Sequence, residues 1–316
     1  MQIGSLFSGI GGIELGFKQA GFSVAWAIEK DTKCCETYRY NFGETNLIEA
    51  DVRKINLSIL QPIDILVAGF PCQSFSVAGK QRGFEDPRGH LFFEVQRFIK
   101  HFAPRVVFIE NVANLVEHDD GKTFNIIHNT LSCLGYFIRY RVLRASEYGG
   151  VPQIRDRTYI VAFKLQEDCD CFVFPEKINL DFDIEQVLAR HNKKHDLYYY
   201  GDDTPFSQKA KAIVTSRRGI YRVFNGDIKK INNSMCPTLT ASMGTKQDQI
   251  PLIRDDFGVR KITIGECLAF QGFPDEFKFP KTVTINDAYK QIGNSVCVPV
   301  IKRIAEQIKK YMINEI

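Results

Sequence analysis

What this chain lacks narrows it first. No apolar run in its 316 residues approaches the roughly 20 that a helix needs to cross a bilayer, so no membrane span is expected. Cys169-Asp170-Cys171 has no second cysteine pair at zinc spacing, and His191-Asn192-Lys193-Lys194-His195 lacks the glutamate of the zinc-protease helix, so no metal is expected. An even cysteine count is missing too. The nine cysteines are scattered and mostly set in apolar strings, which suits reduced thiols better than a disulfide framework. No basic leader precedes Ile3, and together with the reduced thiols this makes the cytoplasm the expected compartment. Strong net charge is also absent, at +4, but the charge is uneven: Val187 to Lys261 hold fourteen Lys or Arg against seven acidic residues. A basic module therefore sits on a mildly acidic body. It is either a solvated lysine-rich surface or a polyanion contact.

What is present is a run of alternating strand and helix patterns. Ile3 to Phe7 read as a strand, Ser8-Gly9-Ile10-Gly11-Gly12 as a glycine turn, and Leu15 to Ala20 as a helix, together a nucleotide-cradling unit. The turn lacks the Gly-x-Gly-x-x-Gly spacing of nicotinamide binders, which disfavours that cofactor. Strands at Ser23 to Ile28 and Asn46 to Val52 end near Glu29 and Asp51, either carboxylate acceptors for a bound ribose and base or simple helix caps. The branched run Ile63 to Ala68 predicts a buried strand, and Gly69 and Pro71 end it so that Cys72 stands at its mouth. Cys72 is then a nucleophile or a small buried hydrophobe. Val77 to Leu91, with three glycines and three basic residues, reads as a lid or an ordinary surface loop. A helix over 91–102 and a strand from Arg105 follow, the strand ending at Glu110 and facing the crevice of Cys72. A helix at 125–134, strands at 136–143 and 157–163, and an extended Gln153-Ile154-Arg155-Asp156-Arg157 segment complete this half. From about Pro175 the pattern turns irregular. It recovers near Arg260 with Thr263 and Glu266 as a capping box, and closes on an amphipathic helix from Pro299 to Met312.

Taken in order, these motifs resemble the cytosine-C5 DNA methyltransferases, and the resemblance covers nearly the whole chain. The residues that carry it are Phe7-Ser8-Gly9-Ile10-Gly11-Gly12, Glu29, Asp51, Gly69-Phe70-Pro71-Cys72-Gln73-Ser74, Glu110-Asn111-Val112, Gln153 to Arg157, Arg260 to Thr263 with Glu266, Gln271 to Pro274, and Gln291-Ile292-Gly293-Asn294-Ser295-Val296. The resemblance implies an α/β, Rossmann-like S-adenosylmethionine-dependent domain over residues 1–178 and 285–316. A smaller, irregular, mostly-β target-recognition domain would span 179–284. It implies a cofactor site of Phe7, Gly9, Gly11, Gly12, Glu29, Asp51, Val52, Pro71, Asn294 and Val296. S-adenosylhomocysteine would be the product. Lys30 and Ala50 depart from the family pattern, which bears on the packing around adenine.

The resemblance further implies that Cys72 adds to C6 of a flipped-out cytosine in a short double-stranded DNA sequence, with Glu110 at the base edge and Arg157 and Arg155 in support. Ser76, Lys80, Arg82, Arg88, Gln153, Arg217, Arg218, Arg222 and Thr238 are the expected DNA contacts. A monomer in a prokaryotic cytoplasm is expected, with a cognate restriction endonuclease of the same site as partner. Two alternatives stand beside this: the same chemistry on transfer RNA, against which Phe70-Pro71-Cys72 argues, and a silent DNA-binding relative, against which the retention of Cys72, Glu110, Arg155 and Arg157 argues.

Overall fold

The computed structural model describes residues 1–43, 46–70, 91–179, 184–224, 226–231, 235–246 and 249–312. Contacts divide the chain into two units: Met1–Arg144, Asp156–Glu176 and Val300–Ile316 form the first, Ala145–Arg155 and Lys177–Pro299 the second. The second thereby includes residues 145–155 and 285–299, which the sequence reading assigns to the catalytic domain.

The first unit runs β1 (Gln2–Leu6), α1 (Gly12–Gln19), β2 (Ser23–Glu29), α2 (Thr32–Phe42), β3 (Leu47–Glu49), β4 (Ile65–Ala68), α3 (Leu91–Phe102), β5 (Val106–Val112), α4 (Lys122–Cys133) and β6 (Phe137–Arg144). After α5 (Ala145–Tyr148) of the second unit it resumes with β7 (Asp156–Phe163) and α6 (Gln166–Cys171). Its seven strands make one sheet in the order β3-β2-β1-β4-β5-β7-β6. All neighbours from β3 to β5 pair parallel, whereas β7 runs antiparallel to both β5 and β6. Parallel strands are covered on both faces and so read as unbroken apolar runs; Ile65 to Ala68 and Val106 to Ile109 are all fully buried. The single tryptophan, Trp26 on β2, packs against Phe98 and Phe102 of α3 and donates its indole N–H to the Gln61 carbonyl at 2.9 Å. Its ring lies so close to β1 that a Cβ at Gly4 would stand 2.3 Å from it, which is why a glycine occupies a strand interior there.

The strand order reverses beside β1, whose neighbours β2 and β4 carry the chain away in opposite directions. In open α/β sheets this is where ligands bind, at the carboxyl ends of the strands. The glycine turn, Glu29, Gly69 and Glu110 all stand at that edge.

The second unit carries α7 (Ile184–Leu188), α8 (Pro205–Ile213), β8 (Tyr221–Phe224), β9 (Asp227–Lys230), β10 (Leu252–Arg254), β11 (Val259–Lys261), α9 (Ile264–Phe270) and α10 (Ile285–Asn294). α11 (Val298–Met312) begins here and ends in the first unit. The strands form an antiparallel sheet in the order β11-β10-β8-β9. One face packs Tyr221, Val223, Ile228, Leu252 and Val259 on Ala210 of α8 and on Val214. α8 lies in the stretch expected to be irregular, yet its start has a full signature: Thr204 caps, Ser207 closes the capping box and Pro205 takes the first turn. The expected box of Thr263 and Glu266 is present on α9.

Candidate active site

In the first unit the glycine turn is held from below by Glu29. Its Oε2 accepts the Gly9 N–H at 2.8 Å, and its Oε1 accepts the N–H groups of Lys30 and Asp31, each at 2.8 Å. Of the roughly four acceptor positions of a carboxylate, the described residues use three, which leaves one for a hydroxyl. Phe7, immediately before the turn, has a φ of 58°, a left-handed conformation that an aromatic residue rarely adopts. Such strain persists where the surroundings over-determine it, commonly beside a ligand. Gly9 and Gly11 also have positive φ; a Cβ at Gly11 would meet Phe42 of α2 at 2.2 Å, whereas one at Gly9 would meet no described atom within 4 Å.

Asp51 lies beyond β3 and makes a two-pronged contact with Arg53, at 2.9 Å to Nε and 2.5 Å to Nη2. Those hydrogen bonds from Arg53 hold its carboxyl well below the usual range. The following Val52 is buried in the main core cluster. Sequence reasoning did not find Arg53 as a partner, although its position two residues on, in a tight turn, was the available signal.

Behind the turn is a residue that the sequence reading passes over. Glu14, in the first turn of α1, is 0% exposed, and its carboxyl oxygens make no hydrogen bond among the described residues. Burial raises its pKa, and the Ser5 and Ser8 hydroxyls, which lie near the carboxyl without hydrogen-bond geometry to it, offset only part of that.

Next to β1 in the sheet, β4 delivers the chain to Gly69 and Phe70 beside β5. The Asn111 side chain donates to the Phe70 carbonyl at 3.3 Å, and a Cβ at Gly69 would stand 3.9 Å from Oε2 of Glu110. Pro71, Cys72, Ser76, Lys80, Arg82 and Arg88 lie outside the described residues, as does the expected lid apart from Leu91. Glu110 itself is nearly buried and meets Arg157 in an ion pair with Nε at 3.2 Å. The reversal of β7 makes this possible: an antiparallel strand starts where its neighbour ends, so Arg157 pairs with Val112 at the carboxyl end of β5. Arg157 also donates to the Asp156 carbonyl at 2.7 Å, which fixes its fork.

The remaining expected residues stand in the second unit, where several are buried in its frame. Arg155 is 2% exposed and donates to the carbonyls of Leu239, Gly293 and Ser295, bracing the turn that carries Asn294 and Val296. Gln153 is 1% exposed, bridges to Cys236 and donates to the Phe270 carbonyl at 3.1 Å. Thr238 donates its hydroxyl to the Ile154 carbonyl at 2.5 Å. Gln153, Arg155 and Thr238 are thus framework residues of this unit, because backbone segments without a ladder need side chains to satisfy their carbonyls. Arg217, Arg218 and Arg222 are exposed; Arg217 pairs with Asp256 at 3.0 Å, an acid that also takes His191 at 2.6 Å.

The chain matches the profile of a family described as C-5 cytosine-specific DNA methylase over residues 1–310. It is similar to the Type II methyltransferase M.Bsp6I of Bacillus sp. (strain RFL6), 44% identical over 316 residues that cover 99% of this chain and 100% of the relative. It is also similar to the Type II methyltransferase M.HhaI of Haemophilus parahaemolyticus, 35% identical over 308 residues, 96% of this chain and 92% of that one. Among solved structures, the S. pombe Dnmt2 methyltransferase shares the fold with a TM-score of 0.75 at 18% identity, covering 99% of each chain. A variant of Spodoptera frugiperda DNMT2 does so at the same TM-score, with 18% identity and 98% and 99% coverage.

Proposed function

The chain belongs to the family of C-5 cytosine-specific DNA methylases, and on that premise we propose that Cys72 and Glu110 carry the methylation of cytosine C5. The protein is a DNA cytosine-C5 methyltransferase, and the family's methyl donor is S-adenosylmethionine. The glycine turn fits such a donor. Gly9 fronts space that no described side chain fills, and Glu29 keeps an acceptor position free. Phe7, Gly9, Gly11, Gly12, Glu29, Asp51 and Val52 of the first unit would hold it, together with Pro71. When bound, it supplies an electrophilic methyl group at a sulfonium centre.

Cytosine C5 is a weak nucleophile. The Cys72 thiolate adds to C6, which turns the ring into an enamine with electron density at C5. Glu110 holds the N3 and amino edge of the base and shares a proton with it, so the ring does not carry the negative charge that addition creates. Arg157 fixes the carboxyl in that direction. Loss of the C5 proton after methylation restores the double bond and expels the thiolate. C6 is hidden in the base stack, so the base has to leave the duplex first.

One observation carries this reading: Glu110 is clamped by Arg157 beside Gly69, at the carboxyl edge where the chain runs on toward Cys72. The finer reading is a monomeric modification enzyme of a prokaryotic cytoplasm whose site is shared with a restriction endonuclease. The relatives, named as Type II methyltransferases, support the modification role in it.

Duplex DNA with 5-fluorocytosine tests the chemistry, because fluorine at C5 blocks the elimination. The intact chain with S-adenosylmethionine should form an adduct stable to denaturing electrophoresis, and Cys72→Ala should form none. An adduct that survives in the variant would remove Cys72 from the mechanism.

A further inference from the structure

The β8–β9 hairpin has two faces of opposite character. Tyr221, Val223 and Ile228 point into the apolar cluster of the second unit. Strand alternation therefore turns Arg222, Phe224, Asp227 and Lys229 the other way, and all four are exposed. The register sets Arg222 directly across from Lys229, and Phe224 across from Asp227. Like charges directly opposite one another destabilise a strand pair. Lys229 turns toward Asp227 at 3.7 Å, while the Arg222 guanidinium lies over the Phe224 ring, 5.2 Å from its centre. No carboxylate is assigned to Arg222 among the described residues. Phe224 is 53% exposed, so folding gains little from it or from the cation beside it.

The ribbon beneath this face is braced. Lys209 of α8 donates to the Gly226 carbonyl at 2.7 Å, and Lys230 reaches the Ser216 hydroxyl at 3.1 Å. Gly226 has a φ of 76°, which suits glycine in the hairpin turn. A two-stranded ribbon is narrow enough for the major groove, about 12 Å wide. Its side chains also distinguish reading from mere attraction. A surface built only for phosphates would exclude Asp227, whose carboxylate would face a row of anions. Base edges present both kinds of partner, with acceptors on guanine for a guanidinium and an amino donor on cytosine for a carboxylate.

We propose that this face of the hairpin reads duplex DNA in the major groove, with Arg222 as the residue that selects a guanine of the target site and Phe224 as the ring that holds its fork in place. The assignment rests on the DNA methyltransferase reading above. Arg217, by contrast, is engaged by Asp256.

The test uses the full chain on a pool of duplexes with randomised positions, read by bisulfite sequencing, with Arg222→Ala and Arg222→Lys beside the wild type. Wild type should methylate one short recurring sequence. Both variants should lose discrimination at one guanine position by roughly 10- to 100-fold, because an ammonium cannot reproduce the two-pronged contact. The slope of log affinity against log salt should hold for Arg222→Lys. If Arg222→Lys keeps the wild-type preference and Arg222→Ala only weakens all duplexes alike, the residue is a phosphate contact and the proposal is overturned. Preferences unchanged in both variants overturn it as well, with the enzyme reading intact. A wild type that methylates no duplex would overturn the enzyme reading itself, and this proposal with it.

Discussion

Glu14 is a buried carboxyl with no hydrogen bond among the described residues, directly behind the turn that is to hold the cofactor. Its pKa is raised above its ordinary 4.5, first of all by burial. The folded protein therefore holds this proton more tightly than the unfolded chain, and stability falls as pH rises from about 4.5 through the folded pKa. Glu14→Gln removes the ionisation and keeps the shape. The variant should match the wild type near pH 5 and unfold at a higher temperature near pH 8, by an amount equivalent to about 1–3 kcal/mol. Thermal unfolding across that range checks it, and a gap that does not change with pH would show that the carboxyl is paired after all. Glu29 is the contrasting case, a carboxylate satisfied by three backbone N–H groups.

At the scale of elements, the β10–β11 hairpin is joined to α9 by one buried cation. Arg260 is 0% exposed and contacts Asp255 at 2.6 Å, Glu266 at 2.8 and 2.7 Å, and the Leu188 carbonyl at 3.0 Å. Burial alone would raise the Asp255 carboxyl, but hydrogen bonds from Tyr199, Arg260 and the Phe257 N–H bring it below its ordinary value. Removing the arginine leaves two buried carboxylates without their cation, a change worth about 3–5 kcal/mol. Arg260→Ala should therefore lower the unfolding midpoint in urea strongly, and acid should narrow the difference as the Asp255 carboxylate protonates. A loss that stays the same at every pH would show that packing, not charge, holds this joint. The capping box on α9 uses the same Glu266, whose Oε2 accepts the Thr263 N–H at 2.6 Å. One acid thus starts the helix and anchors the sheet.

For the molecule as a whole, ligand binding and stability are linked, since a ligand that binds only the folded chain stabilises it by mass action. S-adenosylhomocysteine at about 100 times its Kd should add roughly 2.7 kcal/mol. In a scan this reads as a rise of several degrees. Asp51→Ala should abolish the rise. Arg53→Ala should keep it or enlarge it, because Arg53 occupies the carboxylate that the adenine would need, and a solvent-screened pair of this kind contributes little to folding. A rise that survives Asp51→Ala would remove that residue from the cofactor set.

The sequence by itself determined the alternation of the first unit. Unbroken apolar runs such as Ile65 to Ala68 become buried parallel strands, and the stripe of Val300, Ile301, Ile304, Ala305, Ile308 and Met312 becomes the buried side of α11. It also placed Glu29 and Glu110 at strand ends, since period and turn residues are local properties. It did not locate α2, whose hydrophobic pattern is weak, or α8, whose Thr204 box was there to be read. Tertiary structure decided what depends on distant partners. Strand direction is invisible in a period of two, so only the sheet showed that β7 runs backward and brings Arg157 to Glu110. Equally, nothing in the letters separates a buried arginine from an exposed one. Arg155 braces backbone carbonyls and Arg222 faces solvent because residues far along the chain cover the first and leave the second bare.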